Sequence, residues 1–343
     1  GLSHEEANNA LVYDDALNDR IRIHHNHIAK NGGQDGAGGG ISIHTGADNY
    51  RVQQNWVCGN FSQGNGGGIG HLGRSNNGLI EDNVVIFNES FSQANPTSGG
   101  GIFIGGQAGL VLGAVSPGAG NVVVDSNLVR GNLAGAGDGG GIRIASVNGE
   151  DLVAPNGGLT PDTSWYGVTV VNNMVTNNVT GLAGGGISVE DSLKVDVRHN
   201  TVANNDSTAT AALAFVPGAP NVSVAQPAGI VSRVHSAALA GVVGAGYSNP
   251  VLGSNIVYQN RSFYWLNYDV PATAVIETGL FPASCPFDGT NVPSGCDLVN
   301  VAGYSYDFAV LNGNVDTGEL LSPTSSLLTA STGNGVYLGG STG

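Results

Sequence analysis

Positive charge is scarce in this chain. Eleven Lys and Arg stand against 26 Asp and Glu in 343 residues, a formal net charge of −15. Binding to nucleic acid or to an anionic lipid surface needs a clustered basic stripe, and eleven scattered cations do not make one. Charged residues of both signs together reach 11%, below the usual quarter. The 41% hydrophobic content rules out the low-hydropathy, high-charge recipe for disorder, so the chain is expected to fold. No apolar run approaches the 18 to 20 residues of a membrane-spanning helix. The opening GLSHEEANNALVYDD has neither the basic start nor the apolar core of a signal peptide, so either a leader was removed or the chain is a piece of something longer. Cysteine is limited to three residues. Cys285 and Cys296 flank a Pro/Gly-rich loop and lack C-x-x-C spacing; they are expected to form a disulfide, two loop thiols being the alternative. Cys58 reads as a small apolar residue within a repeat.

What is abundant is glycine, 56 residues, and asparagine, 36, a composition hostile to long helices. The asparagines are periodic. An apolar-x-x-Asn-x-apolar-x-x-Asn phrase recurs seven times, from IHHNHIAKN to LGSNIVYQN. Its first column is Asn26, Asn55, Asn83, Asn127, Asn173, Asn200 and Asn255. Its second, five residues later, is Asn31, Asn60, Asn88, Asn132, Asn178, Asn205 and Asn260. A glycine run with an alternating strand intervenes between copies: GGGISIH, GGGIGHL, GGGIFIG, GGGIRIA, GGGISVE and the weaker AGIVSRV. The apolar columns are largely β-branched, which suits pleated strands. Identical amides about 4.8 Å apart can bond to one another in ladders, and Asn can itself adopt the left-handed turn that bends the chain.

These features specify an all-β right-handed parallel β-helix, a solenoid of about seven to ten coils with Asn ladders and inserted loops, since parallel crossovers are right-handed in nearly every case. Over residues 20 to 262 the sequence resembles the pectin-lyase-like superfamily and the bacterial right-handed parallel β-helix repeat proteins. Expected boundaries are an N-terminal cap over 1–19, the β-helix over 20–262, and terminal coils with an irregular cap carrying Cys285 and Cys296 over 263–343. Residues 89–98, 106–120, 146–166 and 206–227 lengthen particular repeats as Pro/Ala/Gly/Ser/Asn-rich loops, which could build a binding wall or be neutral elaboration.

The resemblance implies carbohydrate chemistry, because the superfamily contains lyases, polygalacturonases and epimerases. A lyase holds a uronate with Asp/Glu-bound calcium and abstracts a proton with Arg or Lys, whereas an inverting hydrolase sets two carboxyls about 6.5–9.5 Å apart. Glu81, Asp82 and Asp125, on neighbouring repeats, are the candidate catalytic acids, with solvated surface acids as the bland reading. Arg22 and Arg51, near the same columns, are candidate binding residues, together with His25, His27 and Trp56. The polygalacturonase NTD and DD signatures and the epimerase DPH signature are absent, and the sequence around His71 only faintly resembles GHG. His24, His27 and His71 could converge on copper or zinc, although a hydrogen bond to a buried carbonyl would equally satisfy an inward His71. Calcium is the other conceivable ion.

The residue after the first ladder Asn should face outward, yet reads His27, Trp56, Val84, Leu128, Met174, Thr201, Ile256. Such a stripe should be covered, by the chain's own loops or by carbohydrate, another domain or another subunit. The leading expectation is a secreted or cell-surface scaffold, extracellular or periplasmic, contacting carbohydrate or a partner protein within a larger chain or assembly. The rivals are an extracellular lyase or hydrolase of acidic glycans and a His-based Cu/Zn module of a larger assembly.

Overall fold

The computed structural model describes residues 3–5, 11–13, 16–34, 36–93, 95–270, 275–285, 287, 289 and 306–329. Four sheets of seven or eight strands take up the repeat, each successive strand joining the next sheet in turn. Sheet I holds the strands after the glycine runs, Ile41–His44 through Ile230–Arg233, followed by Phe308–Asn312 and Val315–Asp316. Sheet II runs from Arg22–His24 to Val251–Gly253, and sheet III from His27–Ala29 to Leu327–Leu328. Sheet IV begins with two-residue strands such as Phe61–Ser62 and ends in a hairpin, Arg261–Val270 against Val275–Pro282. Pairing between repeats is parallel and column-true: Val52, Ile80, Val124, Val170, Val197 and Leu252 lie one above another. These residues and their counterparts on sheets I and III form one fully buried apolar core.

The Asn ladders hold this stack at its corners. In the first ladder the backbone N and Nδ2 of Asn55 both donate to Oδ1 of Asn83, at 3.0 and 2.9 Å, and the arrangement repeats through Asn127, Asn173, Asn200 and Asn255. The second ladder does the same from Asn31 to Asn260. Nδ2 also caps a carbonyl of the preceding repeat, as Asn83 does to Val52 at 2.8 Å, so an inward amide has its donors and acceptor satisfied. Beyond the last asparagines the pattern is taken over by other side chains. Asn260 Nδ2 donates to Oδ1 of Asp307 at 2.8 Å, and the Asn255 amide donates to Oγ of Ser326 at 3.1 Å.

Two expectations are corrected here. The expected fold class, an all-β right-handed parallel β-helix or solenoid, gives way to four stacked, parallel-dominated sheets; neither a closed barrel nor a solenoid is assigned to the described residues. The architecture includes antiparallel pairs, Ser3–Glu5 with Leu11–Tyr13 and the Arg261–Pro282 hairpin, and a seven-residue α-helix, Ala237–Val243. The fourth sheet was hidden because its two-residue strands are too short to show a period of two. The second correction concerns the corners. The left-handed residue is not the asparagine but the one before it, which in the first corner is His25, Gln54, Asp82, Ser126, Asn172, His199 or Ser254, with φ between 53° and 58°. The bend thus falls on a residue of any type, while the Asn side chain supplies the bonds that hold it.

Candidate functional site

On sheet I the first and third residues of each strand face inward and the second faces outward, and the outward column reads Ser42, Gly70, Phe103, Arg143, Ser188, Val231, Ala309. Outward positions of a sheet should be wet, yet from Gly70 onward this column is buried. Inserted segments arch over it and leave a cleft of about 1030 Å³, at the upper end of the roughly 300–1,000 Å³ common for ligand sites. Pro96, Ala108, Ser146, Leu213 and Phe215 enter its wall, drawing on all four of the lengthened repeats.

Its floor carries the most concentrated buried charge among the described residues. Asp138, in the loop before Ile142–Ala145, accepts from Nη1 of Arg143 at 3.0 Å and from Nε and Nη2 of Arg233 at 2.5 and 2.7 Å. The Ala183 amide adds a fourth donor at 3.1 Å. Burial alone would raise the Asp138 carboxyl, but the guanidiniums of Arg233 and Arg143 hold it below the ordinary carboxylate range. Arg143 also donates to Oγ of Ser188 at 2.6 Å and pairs with Glu190, whose side chain is about a third exposed. Two cations are thus met by two carboxylates, and Glu190 reaches toward solvent. Beside them Asp191 accepts from the Ser236 amide at 2.7 Å. Nδ1 of His235, whose side chain is 3% exposed, stands 3.7 Å from Oδ1 of Asp191, within ion-pair but beyond hydrogen-bond range, and has no hydrogen-bond partner among the described residues.

Neither these four charged residues nor His235 was singled out from sequence. The available signal was Arg143 in GGGIRIA, placed where neighbouring repeats carry Phe103 and Ser188, and Arg233 in IVSRV, which falls one repeat after Glu190 in the same column. Asp138 lies 95 residues from Arg233, and no local spacing announces that contact.

The residues singled out from sequence lie elsewhere. Glu81 and Asp125 are register neighbours on sheet II, and Asp82 sits at the adjacent corner. Their partners are uncharged: Gln53 donates to Glu81 at 2.6 Å, and Ser126 and Asn172 donate to Asp125 at 2.8 and 3.1 Å. Arg22 and Arg51 stack on each other in register and bond to the carbonyls of Asn49 and Asn77, both at 2.8 Å. Arg51 lines a smaller groove of about 580 Å³ with Leu79, Val123 and Lys194. The histidines do not converge, because His24, His27 and His71 occupy sheets II, III and I. His24 and His25 contact each other through Nδ1 atoms 2.9 Å apart at an exposed corner, while His27 pairs in register with exposed Trp56.

His71 is fully buried, with Nδ1 2.9 Å from the Tyr50 hydroxyl and Nε2 2.9 Å from the Ala119 carbonyl. Burial lowers its pKa to about 4, so the ring is neutral near pH 7. Among the described residues no three His, Cys, Asp or Glu side chains are grouped to hold a metal ion. His24, His27 and His71 therefore do not form a shared copper or zinc site. Cys285 is disulfide-bonded and Cys58 is free; Cys296, the expected partner of Cys285, lies outside the described residues. No described helix is long and apolar enough to cross a membrane. No family model, curated protein or solved structure matches this chain.

Proposed function

We propose that the chain is a rigid binding scaffold whose cleft over sheet I takes a carbohydrate, working outside the cell or at its surface. The observation that carries this reading is the cleft itself: apolar Leu213, Phe215 and Pro217 stand over a floor of fixed hydrogen-bonding groups from Arg143, Glu190, Arg233 and Asn314. Sugars present alternating apolar and hydroxyl faces, which such a mixed lining suits. The balance of two guanidiniums against two carboxylates favours a neutral or weakly charged glycan over a polyanion, in keeping with the chain's net charge of −15. The disulfide at Cys285 supports an oxidising compartment.

Titration calorimetry against neutral and uronate oligosaccharides tests the reading. A neutral oligosaccharide should bind, and affinity should fall at least tenfold in Glu190→Ala and in Phe215→Ala, about 1.4 kcal/mol each. If no oligosaccharide binds, or both variants bind as tightly as the parent, the cleft is not the site.

A further inference from the structure

The outer face of sheet III leaves an apolar column in water. His27, Trp56, Val84, Leu128, Met174, Thr201, Ile256 and Leu327 are paired in unbroken register across all eight strands. Trp56 is 47% exposed, Met174 52% and Leu327 59%, so no described residue covers the column. The parallel column two residues on reads Ala29, Cys58, Ile86, Arg130, Thr176, Ala203 and Tyr258, and Phe87 stands out beside it, 63% exposed. Neither column contains an acid, although acids outnumber bases more than two to one in the chain. Glu81, Asp82 and Asp125 lie to one side, and Glu89 and Asp206 to the other, where Arg261 pairs with Asp206.

We infer that this face binds a second copy of the chain, which goes beyond the carbohydrate reading and is independent of it. At about 4.8 Å per strand, eight strands make a surface about 38 Å long, and at about 3.3 Å per residue the four positions from Val84 to Phe87 make it about 13 Å wide. That is roughly 500 Å² in projection, before the relief of the side chains is added, against the roughly 800 Å² of accessible surface each partner contributes to a stable interface. A surface free of acids is one place where two molecules of charge −15 can meet without like charges in contact. The regular register also makes the face self-complementary under a two-fold axis. An axis along the strands, between Leu128 and Met174, sets Leu128 on Met174, Trp56 on Ile256 and Tyr258 on Cys58. It places Arg130 opposite Thr176 instead of opposite its own copy.

Sedimentation equilibrium of the full chain tests this. The parent should have a mass near twice 34.5 kDa, and Met174→Lys should weaken association at least tenfold with its circular dichroism and melting curve unchanged once monomeric. Tyr258→Cys should give, on oxidation, a dimer crosslinked through Cys58 of the other copy. A 34.5 kDa species at all concentrations overturns the inference, as does a dimer that both Met174→Lys and Leu128→Lys leave intact. A Tyr258→Cys dimer that never crosslinks overturns the proposed axis.

Discussion

At the residue scale, His71 shows how one substitution in a repeat brings others with it. Its register neighbours on sheet I are Ile43 and Ile104, both buried. The imidazole fits because Tyr50 enters the core to meet it, and Tyr50 has room because Gly78 carries no side chain: a Cβ there would stand 2.3 Å from the Tyr50 ring. The lowered pKa has a stability consequence. The unfolded chain takes up a proton near the ordinary value of 6.5 and the folded one resists it until about 4. Stability is therefore complete above 6.5 and is lost as pH falls through that window, with a limiting slope of about 1.4 kcal/mol per pH unit. Urea unfolding between pH 4 and 7 should show this slope in the parent and a flatter one in Tyr50→Phe/His71→Ile. The single variant His71→Ile should be less stable than the double, by about 1–3 kcal/mol, because it leaves the Tyr50 hydroxyl buried without a partner. Equal pH slopes in parent and double variant would assign the pH response to other groups.

At the scale of elements, the repeat was legible where a residue type recurs and opaque where the chain meets itself at long range. Asn26 through Asn255 could be read from sequence because a ladder demands the same amide at each repeat, and their bonds are those the spacing implied. The two-residue strands of sheet IV could not be read, nor could the antiparallel hairpin at Arg261–Pro282, where the Asn pattern has ended. The site was hardest. Glu81 and Asp125 are neighbours, as their columns suggested, but the charge buried beneath a cleft comes from a glycine-run loop and two strands whose arginines are 90 positions apart. Asp138 joins these elements, so Asp138→Asn should cost about 3–5 kcal/mol by leaving two desolvated guanidiniums short of a counter-ion. Thermal unfolding measures this; a loss under about 1 kcal/mol would show that Glu190 and the Gly313 carbonyl, 2.7 Å from Arg233, suffice.

For the molecule as a whole, each repeat bonds to its two neighbours, and distant repeats share no backbone pairing among the described strands of sheets II and III. The core is continuous along the stack, while the cleft and the apolar face lie on different sheets. Occupying one therefore leaves the other accessible. Glycan affinity should accordingly be the same in the parent and in Met174→Lys.

The stacking also makes the molecule mechanically anisotropic. Its interstrand bonds and both amide ladders run along the stacking direction, so tension applied from end to end loads them in series and opens one repeat before the next. With ladder asparagines 27 to 55 positions apart, each opening frees about 9–20 nm of chain at roughly 3.5 Å per residue. A force–extension trace would then be a sawtooth of unequal teeth, each tooth set by the number of residues in its repeat. A single rupture would mean that the repeats yield together.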